Sequence, residues 1–472
     1  MAQKGEKKGL VRLFKRYSFG FFNELMARNK VNMKISRIKM RIHYINSSRL
    51  TYGIENIGQG RDGTSGLINC LREKRRSYPY ACEEEVVDQF LDTFHGDVNA
   101  RFLRKARRLS LHSGIPPTAR NTSRVRSLLF FDFGEPIRLK LKKFKLLQVL
   151  DLEGVHLALV DSSLGNLIHL RYLDLRKTWL KKLPSSISNL CSLQTLDLRT
   201  TLIDPIPVAI WKMKQLRHLY FNKLREMVVN PTGKVSLENL QTLLGIHVGE
   251  SSCIEEGLKK LFNLKELELH GRLIQHEEAL GLWIINLKDL QCLKMHTRRT
   301  SDINTSAIPK CITLSNHFHL YRLHLNGFKR RLFNVQDFPP NLTELCLEHS
   351  FLMDDPMEKL EKLPNLRILK LKQSSYVGKE MFCSNGGFSQ LHLLKLSHLY
   401  SVERWTIEEG ALCNLRELEI VECKRLNILP RGLWPVTTLR NLKLGYMPYE
   451  FEMMARDRQG ENWYRLKHVL PI

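Results

Sequence analysis

The chain has 472 residues, 43% of them hydrophobic and 26% charged, which is too apolar for a disordered chain and long enough for about three ordinary domains or one extended array. Lys and Arg number 74 against 48 Asp and Glu, a net charge of +26 that favours polyanionic partners by long-range steering without specifying one. Ten Cys without a Cys-x-x-Cys pair exclude a small disulfide scaffold and a sequence-local zinc site, so reduced, buried thiols and no resident metal are expected.

Residues 1–10 are polar and basic, and no window reaches about 18 uninterrupted apolar residues, so the expected location is cytoplasmic, with membrane association or the nucleus as alternatives. Residues 1–50 and residues 101–145 each carry 13 Lys or Arg against 2 Asp or Glu. These two windows supply most of the net charge. Within residues 19–46, Val31, Ile35, Ile38, Ile42 and Ile45 recur at helical spacing, opposite a face bearing Lys34, Arg37, Lys39 and Arg41. The basic amphipathic helix this predicts suits packing on the edge of the following array, lying on an anionic membrane, or a remnant of a coiled coil. Residues 58–100 then read as a linker and acidic junction. Gly58, Gly60, Gly63 and Gly66 precede no Lys-Ser/Thr, so they make no phosphate loop and imply no nucleotide cofactor.

From residue 101 onward one pattern dominates, Leu-x-x-Leu-x-Leu, in thirteen copies beginning with LQVLDL at Leu147 and LRYLDL at Leu170 and ending with LRNLKL at Leu439. Two weaker copies start at Ala106 and Val125, and successive copies lie 19 to 30 residues apart. A period of that length marks a leucine-rich repeat, in which a short strand and a return segment bury their leucines only by stacking on neighbours. The expected fold is therefore an α/β leucine-rich-repeat solenoid over residues 101–472. A curved parallel sheet would carry short helices, 3-10 turns and loops on its convex side, with a short helical segment over residues 1–57 before it.

Alternation along a strand places Leu173 and Leu175 inward and Tyr172 and Asp174 on the open face. Thr178, Thr201, Ser350, Ser374 and Cys423, just past their strands, are expected to bond turn backbone. Pro184, Pro207 and Pro430 each open a segment with apolar residues four apart, predicting a short 3-10 or α turn. The wider steps around residues 302–314 and 329–340 predict a loop or kink, and the tail beyond Leu444, through Trp463, a cap.

The chain resembles plant intracellular immune receptors of the coiled-coil, NB-ARC, leucine-rich-repeat family. KISRIKMRIHYINSSRLTYGIENI, Lys34 to Ile57, is similar to the end of their coiled-coil domain, and LREKRRSYPYACEEEVV, Leu71 to Val87, to the acidic junction before their nucleotide-binding domain. LIHLRYLDLRKTWLKKLPSSISNLCSLQTLDLRTT, Leu167 to Thr201, is similar to their repeats almost word for word. The departure is that about a dozen residues separate Val87 from Arg101, where the family has a nucleotide-binding domain. The resemblance implies that the ADP-for-ATP switch of the complete family is missing, and a two-state switch needs a ligand that distinguishes its states. What remains can bind.

Three functions compete. The first is a truncated, immune-receptor-like recognition protein whose concave face binds a protein: a pathogen effector, a guarded host protein or a full-length receptor. Exposed strand positions expected to carry contact are Arg171, Tyr172, Arg217, His218, Tyr220, Lys265, Glu266, Glu268, Tyr321, Arg322, His324, Arg416, Glu417, Glu419 and Arg440, aromatic and Arg side chains being common interface anchors. The second is binding to nucleic acid or an anionic membrane through Arg101, Arg104, Lys105, Arg107, Arg108, Lys140, Lys142, Lys143 and Lys145. In the resembling family such a patch is thought to meet the nucleotide-binding domain, and nucleic acid is the less favoured partner. The third, an enzyme, is weakest: His317 and His319 alternate without a third ligand. No catalytic, metal or cofactor residue is assigned.

Overall fold

The computed structural model describes residues 92–471, interrupted chiefly at 96–106, 114–123, 131–138, 222–236, 250–257, 298–313, 329–333 and 452–469. The described residues all belong to the compact unit Glu83–Ile472. The expected helix at 19–46, the linker glycines, the acidic junction, Arg101, Arg104, Lys105, Lys140 and Trp463 lie outside them.

The Leu-x-x-Leu-x-Leu copies become strands of one 17-stranded parallel sheet, and the described residues hold 19 strands in all. In chain order they are β1 (Asp92–His95), β2 (Arg108–Ser113), β3 (Ser127–Phe130), β4 (Val149–Asp151), β5 (Tyr172–Asp174), β6 (Thr195–Asp197), β7 (His218–Tyr220), β8 (Thr242–Val248), β9 (Glu266–Gly271) and β10 (Cys292–Thr297). They continue as β11 (Arg322–Asn326), β12 (Glu344–Glu348), β13 (Ile368–Lys372), β14 (Glu380–Cys383), β15 (Leu393–Ser397), β16 (Arg404–Ile407), β17 (Glu417–Val421), β18 (Asn441–Gly445) and β19 (Leu470–Pro471). Each strand pairs with the one of the next repeat, while β14 and β16, from two return segments, pair with each other as a separate two-stranded sheet. The main sheet begins at β1, inside the stretch read from sequence as linker, and β19 extends its far end on β18.

The pattern produces this sheet because the chain rises one repeat per turn of the coil. The carbonyl of the second motif residue receives two N–H groups from the next repeat: Arg171 N and Tyr172 N reach Gln148 O at 2.8 and 3.0 Å, and Gln194 N and Thr195 N reach Arg171 O at 2.9 and 3.0 Å. The motif leucines, among them Leu170, Leu173, Leu175, Leu193 and Leu196, are fully buried in one continuous core. No repeat could bury them alone.

Short 3-10 turns occupy Ser185–Asn189, Val208–Lys212 and Arg431–Leu433, each preceded by the expected proline at φ −66, −60 and −58. Proline thus caps the turn rather than starting it. Two helices, α1 (Glu277–Ile285) and α2 (Met357–Leu360), replace such turns farther on. The hydroxyls of Thr178 and Thr201 donate to Leu175 O and Leu198 O, both at 2.8 Å, and Ser350 and Cys423 face backbone carbonyls at 3.5 and 3.7 Å. Ser374 departs from expectation: it sits half-buried at φ 55 while its neighbour Ser375 takes the buried position.

The wide steps do not interrupt the sheet. β10 and β11 pair from Cys292↔Arg322 to His296↔Asn326, and β11 and β12 from Arg322↔Glu344 to Asn326↔Glu348. Residues 302–313 and 329–333, where a loop or kink is expected, lie outside the described residues.

Candidate functional site

The concave face is built by the three motif positions between leucines and those just after the last one, repeated strand after strand in register, which places like positions about 4.8 Å apart. Its N-terminal part is a carboxylate ladder. Asp151, Asp174 and Asp197 are register partners on β4, β5 and β6 and are essentially inaccessible. Each accepts a hydrogen bond from the backbone N–H two residues on, Glu153, Arg176 and Arg199, at 3.0, 2.8 and 3.1 Å. Guanidinium groups cover the ladder: Arg176 meets Glu153 at 3.0 Å, Asp174 at 2.8 Å and Asp197 at 3.4 Å, while Arg199 meets Asp197 at 2.5 Å and lies 4.7 Å over the Tyr220 ring. Burial, which favours neutral Arg176, is outweighed by these carboxylates, so its pKa rises. Burial and the charge of Asp174 push Asp197 up to about 6, against the pull of Arg199 and Arg176.

A histidine column follows. His218 Nδ1 lies 3.0 Å from Thr242 Oγ1, and burial, with Arg217 and Lys265 nearby, lowers its pKa to about 3. His247, His270 and His296 are successive register partners on β8, β9 and β10. The His270 and His296 rings stack at 4.4 Å, and both Nε2 atoms face Oε1 of buried Glu268, at 3.1 and 3.3 Å. One strand on, His324 Nε2 lies 3.2 Å from Glu348 Oε2 and its ring meets that of His296 edge-on at 4.8 Å. Burial would lower the His324 pKa, but Cys346 and Glu348 outweigh it and raise it to about 9. Hydrogen bonding from His324 in turn lowers Glu348. Among the described residues, Glu268, His270 and His296, and separately His324, Cys346 and Glu348, bring three metal-ligating atoms each within 4.8 Å of one another.

The C-terminal part carries open ion pairs. Glu344 links Arg322 at 2.9 Å to Lys370 at 2.6 Å, and Glu419 links Lys395 at 2.7 Å to Lys443 at 3.3 Å. Against burial, which raises them, these cations hold both carboxyls below their ordinary pKa.

The sequence-assigned contact residues therefore divide. Lys265, Tyr321, Arg416, Glu417 and Arg440 are exposed, and Arg171, Arg217, Glu266, Arg322, His324 and Glu419 are half-buried. Tyr172, His218, Tyr220 and Glu268 are buried, contrary to their reading as exposed positions. The reason is convergence: side chains on the inner side of a curved sheet crowd one another, and long neighbours such as Arg199 lie across shorter ones. In the basic patch, Arg107, Lys142, Lys143 and Lys145 are exposed and Arg108 is half-buried. His317 is a core histidine bonded to Ile284 O at 2.9 Å, and His319 lies in the turn before β11. Of the described cysteines, Cys292, Cys346, Cys383 and Cys423 are buried thiols, whereas Cys191 and Cys413 are exposed, against the expectation for all of them.

Sequence reading missed the Glu268, His270 and His296 cluster. Its signal was the equivalent register position in consecutive repeats rather than a short motif, and the 25 residues between His270 and His296 hid it.

A parallel solenoid built on a repeated leucine ladder, with a polar concave face, defines a leucine-rich-repeat protein. A family model described as a leucine-rich repeat region matches residues 124–445, and the chain belongs to that family. Disease resistance protein RPP8 of Arabidopsis thaliana is 32% identical over 407 residues, covering 82% of this chain and 44% of its own length. Disease susceptibility protein LOV1, from the same plant, is 34% identical over 409 residues, covering 82% and 43%. The chain thus spans less than half the length of these curated relatives. Among solved structures, a leucine-rich-repeat protein of Leptospira interrogans aligns with TM-score 0.47 and 19% identity over 79% of this chain and 85% of its own. The Arabidopsis receptor kinase HAESA, in complex with the peptide hormone IDA and the co-receptor SERK1, aligns with TM-score 0.47 and 15% identity over 85% and 72%. Among the described residues no helix is long and apolar enough to cross a membrane.

Proposed function

We propose that the chain is a plant-defence recognition protein that binds a protein partner through the concave face of its repeats and performs no reaction. The carrying observation is the open part of that face, where Lys265, Tyr321, Arg416 and Arg440, each the residue before a strand, and Glu417, the first residue of β17, are exposed at the entrances of strands held in register. The half-buried Arg171, Arg217, Glu266, Arg322, His324 and Glu419 flank them. Rigid strands present such side chains at little ordering cost. The disease-resistance names of relatives covering about four-fifths of the chain support a defence role. In this reading the partner is a pathogen effector, a guarded host protein or a full-length receptor. Residues 1–57 are a helical remnant of a coiled coil, residues 58–100 a junction, and the protein acts in the cytoplasm.

The test is affinity capture from pathogen-challenged leaf extract with three baits: the wild-type chain, a concave variant (Tyr321→Ala, Arg416→Ala, Glu417→Ala, Arg440→Ala) and a control variant away from that face (Lys259→Ala, Lys260→Ala, Glu278→Ala). Loss of one defined protein in the concave variant alone supports the reading. Equal capture by all three counts against it.

A second reading rests on the exposed Arg107, Lys142, Lys143 and Lys145 of the first repeats. Retention of DNA, RNA or anionic vesicles that falls steeply with salt would favour it.

A further inference from the structure

The Glu268, His270 and His296 cluster lies on two adjacent strands of the rigid sheet, not on loops, and the assigned protein-contact role uses neither His270 nor His296. We propose that these three residues form a binding site for a divalent transition-metal ion of the zinc class.

Geometry carries the assignment. An ion bonded at about 2.0–2.1 Å to three ligands at tetrahedral angles sets those ligands about 3.3–3.4 Å apart. The Nε2 atoms of His270 and His296 stand 3.1 and 3.3 Å from the same Glu268 oxygen. All three ligand atoms fall within 4.8 Å of one another, so only the two imidazoles need draw together, by rotation of rings that stack at 4.4 Å.

The backbone fixes this arrangement in advance. Glu268 and His270 alternate on β9, and the register pairs His270 with His296 on β10. Gly271, at φ 115, follows directly; a Cβ there would fall 2.2 Å from Val248 O, so the close approach of β9 to β8 beside the site requires glycine. Ligands supported in this way on strands are held more closely than ligands on loops.

Ligand chemistry narrows the ion. Two imidazoles and one carboxylate suit zinc and its transition-metal neighbours, whereas calcium and magnesium require mostly oxygen ligands. Glu268 has been drawn out of water to 0% exposure beside two imidazoles, and a divalent ion among the three atoms supplies more compensating charge than neutral N–H donors do. Three protein ligands leave a further position for water or for a side chain of a bound protein.

The neighbouring His324, Cys346 and Glu348 set is the alternative location. It offers one imidazole instead of two, and a thiol. The two are separable by experiment.

The experiment uses the full, tag-free chain, stripped with chelator, then titrated with Zn²⁺ by calorimetry and with Co²⁺ by visible absorption. The expected result is one equivalent of zinc bound, cobalt ligand-field bands, and a thermal midpoint that rises with zinc. His270→Gln and His296→Gln should each weaken zinc binding by about 100-fold or more, while Cys346→Ser and His324→Gln leave it within error of wild type. Circular dichroism of the apo variants, matching wild type, establishes that the fold survives. Absence of any cobalt bands at excess metal, zinc affinity retained in both His270 and His296 variants, or affinity lost in Cys346→Ser would overturn the assignment.

Discussion

The repeats of β4 to β7 and those of β9 to β18 solve the same stacking problem with different side chains. In the first group the strands are three residues long, the concave position is a buried Asp on β4 to β6 and buried Tyr220 on β7, and Arg176 and Arg199 lie across the ladder. In the second the strands of the main sheet lengthen to five or six residues, and apart from buried Glu268 and Cys346 the concave position carries exposed or half-buried Lys, Glu and His. The return segments differ as well. Proline-capped 3-10 turns serve the first group and recur in the second only at Arg431–Leu433 among the described residues, whereas in the second Asn263, Asn341, Asn365 and Asn414 each reach back to a carbonyl of the preceding repeat at 2.7 to 3.1 Å. The lesson is that buried charge on the inner face is held by its neighbours along the ladder, whereas exposed charge stays open to solvent.

The contrast can be broken at several points. The largest effect is expected where the two groups are alike: Leu196→Ala in β6 and Leu369→Ala in β13, both fully buried, should each cost about 3–4 kcal/mol in chemical denaturation. A difference of more than half between them would show that one group packs more loosely. Arg176→Ala should cost about 2–3 kcal/mol, because it leaves buried Asp174 and Asp197 without their shared cation. A loss of a few tenths would mean that water replaces the guanidinium and that the ladder is not sealed.

The pH response belongs to the junction of the two groups. His218 has its folded pKa lowered to about 3, so the unfolded chain takes up a proton first as pH falls through about 6.5. Its contribution is present above that pH and is lost progressively below it, by up to about 1.4 kcal/mol per pH unit. His218→Gln should flatten that part of the stability profile between pH 7 and 5, measured by urea titration; an unchanged slope would place the proton uptake elsewhere.

Smaller effects come last. Thr201→Val removes the 2.8 Å bond to Leu198 O and should cost about 1 kcal/mol. Lys395→Ala, at a side chain 27% exposed and paired with Glu419 at 2.7 Å, should cost less than about 1 kcal/mol. If Lys395→Ala proved as damaging as Arg176→Ala, the division into a sealed and an open face would fail.

Much of this was legible in the chain itself. The leucine spacing specified the parallel sheet and its core because a two-residue alternation repeated at a fixed period has one way to stack. Pro184, Pro207 and Pro430 marked their turns, since a fixed φ near −60 is read locally. Ser374 and Ser375 were exchanged because a positive φ at the strand exit shifts the inward position by one residue, which no spacing rule reveals.

The sequence by itself settled the period, the leucine core and the side of each strand that faces the hollow, since these follow from backbone geometry acting between near neighbours in the chain. Tertiary structure alone decided which inner residues are accessible. Tyr172, Tyr220, His218 and Glu268 are buried, while Arg416 and Arg440 stand in solvent, because accessibility on a curved sheet depends on the side chains one repeat away. The same lateral register brought His270 and His296 onto one carboxylate.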